Sequence, residues 1–238
     1  MKTTAIILSI SAVVMLIVAC VPKTKVPNTT TVIVAARDIT DTALSKPIAE
    51  EITPLYDFEK SQWNGGKFRF VDISDVSYNR TQEASIEQAT EWLSNEFERK
   101  KQVKVFNERI AQILADADSE KVGKDFSSVY VPLARELNLL SQNIAQRRIM
   151  LVYSDLMENT TNLSFYDTAT FRLLTANPDV IRNIFEKELH LEDLKGIEIK
   201  ILYKPADPNK DRQFKVVSEF FRQLFESKGA KVYVGVNI

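Results

Sequence analysis

The sequence holds one cysteine and one histidine in 238 residues. With Cys20 alone there is no intrachain disulfide, and a cysteine-based zinc site is out of reach. With His190 alone there is no histidine-rich metal site. Any metal held here must therefore be held by oxygen. Glycine and proline are scarce, at 6 and 8, which excludes a collagen period and a low-complexity linker. An excess of one charge is also lacking: 31 Lys+Arg stand against 32 Asp+Glu, a net of −1. That balance argues against nucleic acid, which usually selects a basic face. What remains is ordinary globular composition, 45% hydrophobic and 26% charged, at a length suited to one domain with extras.

The first twenty residues stand apart. Lys2 gives a positive start, and positions 5–18 are apolar apart from Ser9 and Ser11, with Ala19 and Cys20 following. A positive segment, an apolar run of about 7–15 residues and a small residue before the cut describe a secretory signal. The run is short for a membrane span, which takes about 20 apolar residues. Leu16-Ile17-Val18-Ala19-Cys20 resembles the lipobox of bacterial lipoproteins. The resemblance implies cleavage before Cys20 and acylation of that residue, with several acyl chains holding the protein to a bilayer more firmly than one chain can. It divides the chain into a signal peptide (1–19), a lipidated Cys and tether (20–31) and a folded domain (32–238). Residues 21–31 are rich in Pro, Thr and Lys and read as an extended tether. Val21 carries no acidic retention signal, which favours the outer over the inner membrane of a bacterial envelope.

Within the domain, apolar runs at 31–36 and 148–153 read as strands buried on both faces. Alternating runs at 67–73, 196–203 and 231–238 read as strands nearer an edge. Helical spacing of apolar residues marks 46–58, 85–117, 127–144, 178–189 and 211–227. Strands alternating with helices predict an α/β fold, a doubly wound, mostly parallel sheet with helices on both faces. The 85–118 stretch is long for one crossover and reads as a helical insertion. An antiparallel strand near 76–78 is left open. Trp63-Asn64-Gly65-Gly66 reads as an exposed turn, and His190 as a capping or surface residue.

Ligands of open α/β sheets bind beyond the carboxyl ends of the strands. Asp38, Thr40, Asp41 and Thr42 follow the first strand. Asp72, Ser74 and Asp75 follow the second, and Ser154 and Asp155 the 148–153 strand. Ser127 and Ser128 open the preceding helix. These are carboxylates and hydroxyls, hard ligands that suit Mg²⁺, Mn²⁺ or Ca²⁺.

Asp38-x-Thr40-x-Thr42 after a first apolar strand resembles the Asp-x-Ser-x-Ser motif of von Willebrand factor A domains, where it begins a metal-ion-dependent adhesion site. Ser127, six residues before Leu133, stands where that family has a helix-opening Thr. Ser154-Asp155-Leu156 stands where it has Ser-Asp-Gly. The resemblance implies direct ligation of Mg²⁺ (or Mn²⁺ or Ca²⁺) by Thr40 and Thr42. It implies water-mediated ligation by Asp38 and Asp155, with Ser127 direct or water-bridged, and one position left for an acidic residue of a protein partner. Leu156 in place of Gly is the departure that bears on the partner surface.

Two other readings compete with non-catalytic binding. Asp38-Ile39-Thr40-Asp41-Thr42 also resembles the nucleophile loop of Mg²⁺-dependent phosphoryl-transfer hydrolases, in which Asp38 would attack phosphate. The phosphatases of that type have a second Asp where this chain has Thr40. A structural envelope scaffold with a vestigial metal site is the third reading.

Overall fold

The computed structural model describes residues 27–39, 46–73, 79–118 and 127–238. Cys20, Thr40, Thr42 and the 76–78 segment lie outside the described residues.

Six strands form one sheet: β1 (Thr30–Asp38), β2 (Gly65–Ile73), β3 (Thr81–Ile86), β4 (Arg147–Tyr153), β5 (Ile197–Leu202) and β6 (Lys231–Gly235). Their order is β3-β2-β1-β4-β5-β6. All neighbours run parallel except β2 and β3. The helices are α1 (Ala49–Ile52, continued by a 3-10 turn over Thr53–Tyr56), α2 (Glu96–Asp118), α3 (Tyr130–Ser141), α4 (Thr168–Ala176), α5 (Pro178–Glu188) and α6 (Pro208–Ser227). This is the doubly wound α/β architecture expected from the alternation of strands and helices.

The two central strands are apolar over 32–36 and 149–153 because both of their faces are covered there. Successive side chains of a strand point to opposite faces. Val32, Val34 and Ala36 of β1, with Met150 and Val152 of β4, join the core beneath α3, α5 and α6. Ile33 and Ala35, with Ile149 and Leu151, join a second core beneath α1 and α2. The helix expected in an 85–118 insertion is thus α2, and it packs on the sheet: Phe106, Ile110 and Ile113 cover that second core. It begins at Glu96, not at Ser85. Ser85 and Ile86 close β3 instead, where Ala84 and Ile86 point inward and Thr81, Glu83 and Ser85 outward. An antiparallel strand does follow β2, just beyond the 76–78 segment.

The turn expected at Trp63–Gly66 is buried. Asn64 Nδ2 donates to the carbonyls of Tyr56 and Asp57, both at 3.1 Å, and its Oδ1 accepts from Thr29 N at 3.0 Å. Gly65 and Gly66 already belong to β2. A Cβ on Gly66 would stand 2.8 Å from the Tyr56 ring, so the residue is glycine because an aromatic ring lies on its backbone.

Candidate metal centre

The chain runs outward from β1 to β2 and β3, then returns to place β4 on the other flank of β1. The crevice between the carboxyl ends of β1 and β4 is therefore the topological switch point, where open α/β sheets bind ligands. Asp38 closes β1 and is 2% exposed. Its Oδ2 accepts from Ser127 Oγ at 3.3 Å and from Ser154 Oγ at 3.0 Å. Two of the expected metal ligands, Asp38 and Ser127, are thereby in direct contact.

Asp155 follows β4 in the same loop as Ser154 and is also buried. Its Oδ1 accepts from Met157 N at 2.9 Å, while Ser154 Oγ accepts from Leu156 N at 2.8 Å. These side-chain-to-backbone bonds fold the loop as an Asx or Ser turn folds, by offering local acceptors to the backbone. Leu156 between them has φ 63°, a left-handed conformation, and is fully buried. The backbone shape that glycine would adopt freely is present without glycine.

Ser127 sits just before α3, pairing its backbone N–H and C=O with Asn159 at 3.0 and 2.8 Å. It does not cap the helix. That part is taken by Glu158, whose Oε2 accepts from Val129 N at 3.0 Å and Tyr130 N at 2.8 Å. A carboxylate at a helix N-terminus answers unpaired N–H groups and the helix dipole. Glu158 is nonetheless 1% exposed, and burial pushes its pKa up to about 7. The two backbone donors pull it down by less, and the nearby charges of Glu188 and Asp38 add to the rise. Ser128 Oγ is buried with no hydrogen-bond partner.

Asp72, at the same end of β2, is drawn elsewhere. Arg37 Nε and Nη2 donate to its Oδ1 at 2.9 and 2.7 Å. The same guanidinium reaches Asp118 Oδ1 at 3.1 Å, tying the end of α2 to the sheet. Among the described residues, no group of three or more His, Cys, Asp and Glu side chains is arranged to hold a metal ion. A metal held here would draw on hydroxyls as well as carboxylates. The donors brought together, Asp38, Ser127 and Ser154 with Asp155 beside them, are all oxygen, a set that suits Mg²⁺ rather than zinc.

Two residues of this site were not in the ligand set that the resemblance implies. Ser154 bonds Asp38, and its position next to Asp155 was the available signal. Glu158 gave none, since it caps a helix 28 residues earlier in the chain. No protein-family model matches the chain, and no curated protein matches it in sequence.

Proposed function

We propose that this chain is a lipid-anchored envelope protein whose domain, similar to von Willebrand factor A domains, binds a protein or other ligand through a divalent metal and without catalysis. The convergence at Asp38 carries this reading. Its carboxylate takes hydroxyls from Ser127 and Ser154, which lie 89 and 116 residues further along the chain. Three distant segments meet at the switch point, and they are the three segments in which the resemblance places ligands.

Asp38, Ser127 and Asp155 would hold the ion together with Thr40 and Thr42. Mg²⁺ suits the set, and Mn²⁺ or Ca²⁺ has the same preference for oxygen. A bound ion supplies an open coordination position that an acidic residue of a partner can fill. The protein's own part is to fix the ligands beforehand. Ser127 and Ser154 hold the Asp38 carboxylate, and Asp155 is oriented by its bond from Met157 N. A carboxylate that is 2% exposed and held by two hydroxyls is better placed to position ligands than to attack a phosphate.

Mn²⁺ added to the full chain, followed by loss of the free-ion paramagnetic resonance signal, tests the reading. One bound ion per chain is expected, with binding lost in Asp38→Ala and in Asp155→Ala. A wild-type chain that takes up no Mn²⁺ contradicts it. Turnover of a simple phosphate ester, lost in Asp38→Ala, would establish the hydrolase instead.

A further inference from the structure

The most exposed large apolar side chains among the described residues gather at one end of the domain. Ile144 is 98% exposed, Trp92 94%, Leu93 90% and Phe97 75%. Trp92 and Leu93 lie between β3 and α2, and Phe97 is in the first turn of α2. Ile144 lies in the connection from α3 to β4.

The same end receives the chain from its N-terminal side. Asn28 Nδ2 donates to Ala89 O at 3.1 Å, three residues before Trp92. Thr30 N donates to Gln146 Oε1 at 2.8 Å, two residues after Ile144. Ile86, the last residue of β3, pairs with Gly66 at the start of β2, next to the Thr30–Gly65 pair that opens β1. The tether and both apolar loops therefore share one end of the sheet. Asp38 stands at the other end of β1, about 26 Å away at about 3.3 Å per residue.

We infer that the loop bearing Trp92, Leu93 and Phe97, with Ile144 beside it, rests on the lipid bilayer to which Cys20 is anchored. The inference depends on the lipid-anchor reading proposed above. Six residues lie between Cys20 and Pro27, so the seven steps from one to the other span at most about 25 Å when extended. The polar layer of one leaflet takes up about 5–8 Å of that reach. A short tether thus keeps this end of the domain close to the surface at high local concentration. Tryptophan and phenylalanine favour the membrane interface, where an apolar body meets a polar boundary. The consequence for function is orientation: with Trp92 on the bilayer, the Asp38 end faces away from the membrane, toward a partner.

Of the two tryptophans Trp92 is exposed and Trp63 buried, so the part of the emission that is lost in Trp92→Phe reports on Trp92. The full chain acylated at Cys20 is placed in phosphatidylethanolamine–phosphatidylglycerol vesicles, with and without bromine on the acyl chains. Quenching of emission by bromine is expected, with loss of that quenching in Trp92→Phe and weakening in the Leu93→Ser/Phe97→Ser double variant. Emission that bromine does not quench overturns the inference. So does a blue shift that grows with protein concentration and ignores bromine, which would mark the patch as a contact between copies or with another protein. Flotation with vesicles reads the anchor separately. Its loss in Cys20→Ala supports the anchor, and a wild-type chain that fails to float contradicts the anchor and this inference together. A wild-type chain that floats but is not quenched leaves the anchor standing and removes only the docking.

Discussion

Leu156 holds a left-handed backbone in the loop that carries Asp155. A side chain in that conformation costs about 1–2 kcal/mol. Glycine would remove the strain, but Leu156 is fully buried against the core beneath α3, and emptying such a site costs about 2–5 kcal/mol. The packing term is the larger. Leu156→Gly is therefore expected to lower stability, read as a lower urea midpoint, and a rise would show that strain dominates. Glu158 gives a second test at this scale. Its pKa is raised from 4.5 to about 7, so the folded state favours its protonated form. Its contribution to stability is full below about pH 4.5 and is lost as the pH climbs through 7. The loss is on the order of 3 kcal/mol. Glu158→Gln keeps an acceptor for the Val129 and Tyr130 N–H groups and carries no charge. Between pH 5 and 8, in chelator, the wild-type midpoint is expected to fall more than the variant's. Equal slopes would show that Glu158 is not the group responsible. Asp38 and Asp155 were legible as candidate ligands because they end apolar strands. Glu158 was not, because no local pattern says which distant helix a carboxylate will cap.

The helices show where sequence periodicity succeeds and where it misleads. In α5, Pro178 opens the first turn and Ile181 and Phe185 face inward, as their spacing foretold. Phe185 lies flat on Tyr130, centroids 4.0 Å apart, and touches the rings of Phe220 and Phe221. Phe185→Ala is expected to cost about 3–5 kcal/mol, measured by equilibrium unfolding. A cost under 1 kcal/mol would mean that α3 and α6 close over the gap. The N-terminal side of α2 was misread because Ser85 and Ile86 fit a helical stripe as well as a strand's alternation. Pairing with β2 decides between them, and a pairing partner is not a local property. The short helix α4 carries its signal in the Asp167 cap, which accepts from Thr170 N at 3.1 Å, but it buries only Leu174 and offers no apolar stripe to read. Gly65 and Gly66 looked like a turn for the same reason: glycine marks both a bend and a close approach, and only the Tyr56 ring shows which applies.

Across the whole molecule, the sheet separates two ends. The N-terminal end of β1 receives residues 27–29 and lies beside the Trp92 loop, and its carboxyl end carries Asp38 at the switch point. The doubly wound architecture was legible because buried parallel strands leave a continuous apolar signature, as 32–36 and 149–153 do. The strand order was not, since nothing local to β4 states that it returns to the flank of β1. Yet that return is what sets Ser154 and Asp155 beside Asp38. The central claim is that this meeting point holds a divalent ion, and thermal unfolding of the full chain with and without Mg²⁺ tests it most directly. A ligand bound only by the folded state at a hundred times its Kd adds about 2.7 kcal/mol. The account predicts a Mg²⁺-dependent rise in the wild-type midpoint, reversed by chelator and absent in Asp38→Ala. A wild-type midpoint that Mg²⁺ and Mn²⁺ leave unmoved, or a rise that persists in Asp38→Ala, would contradict it.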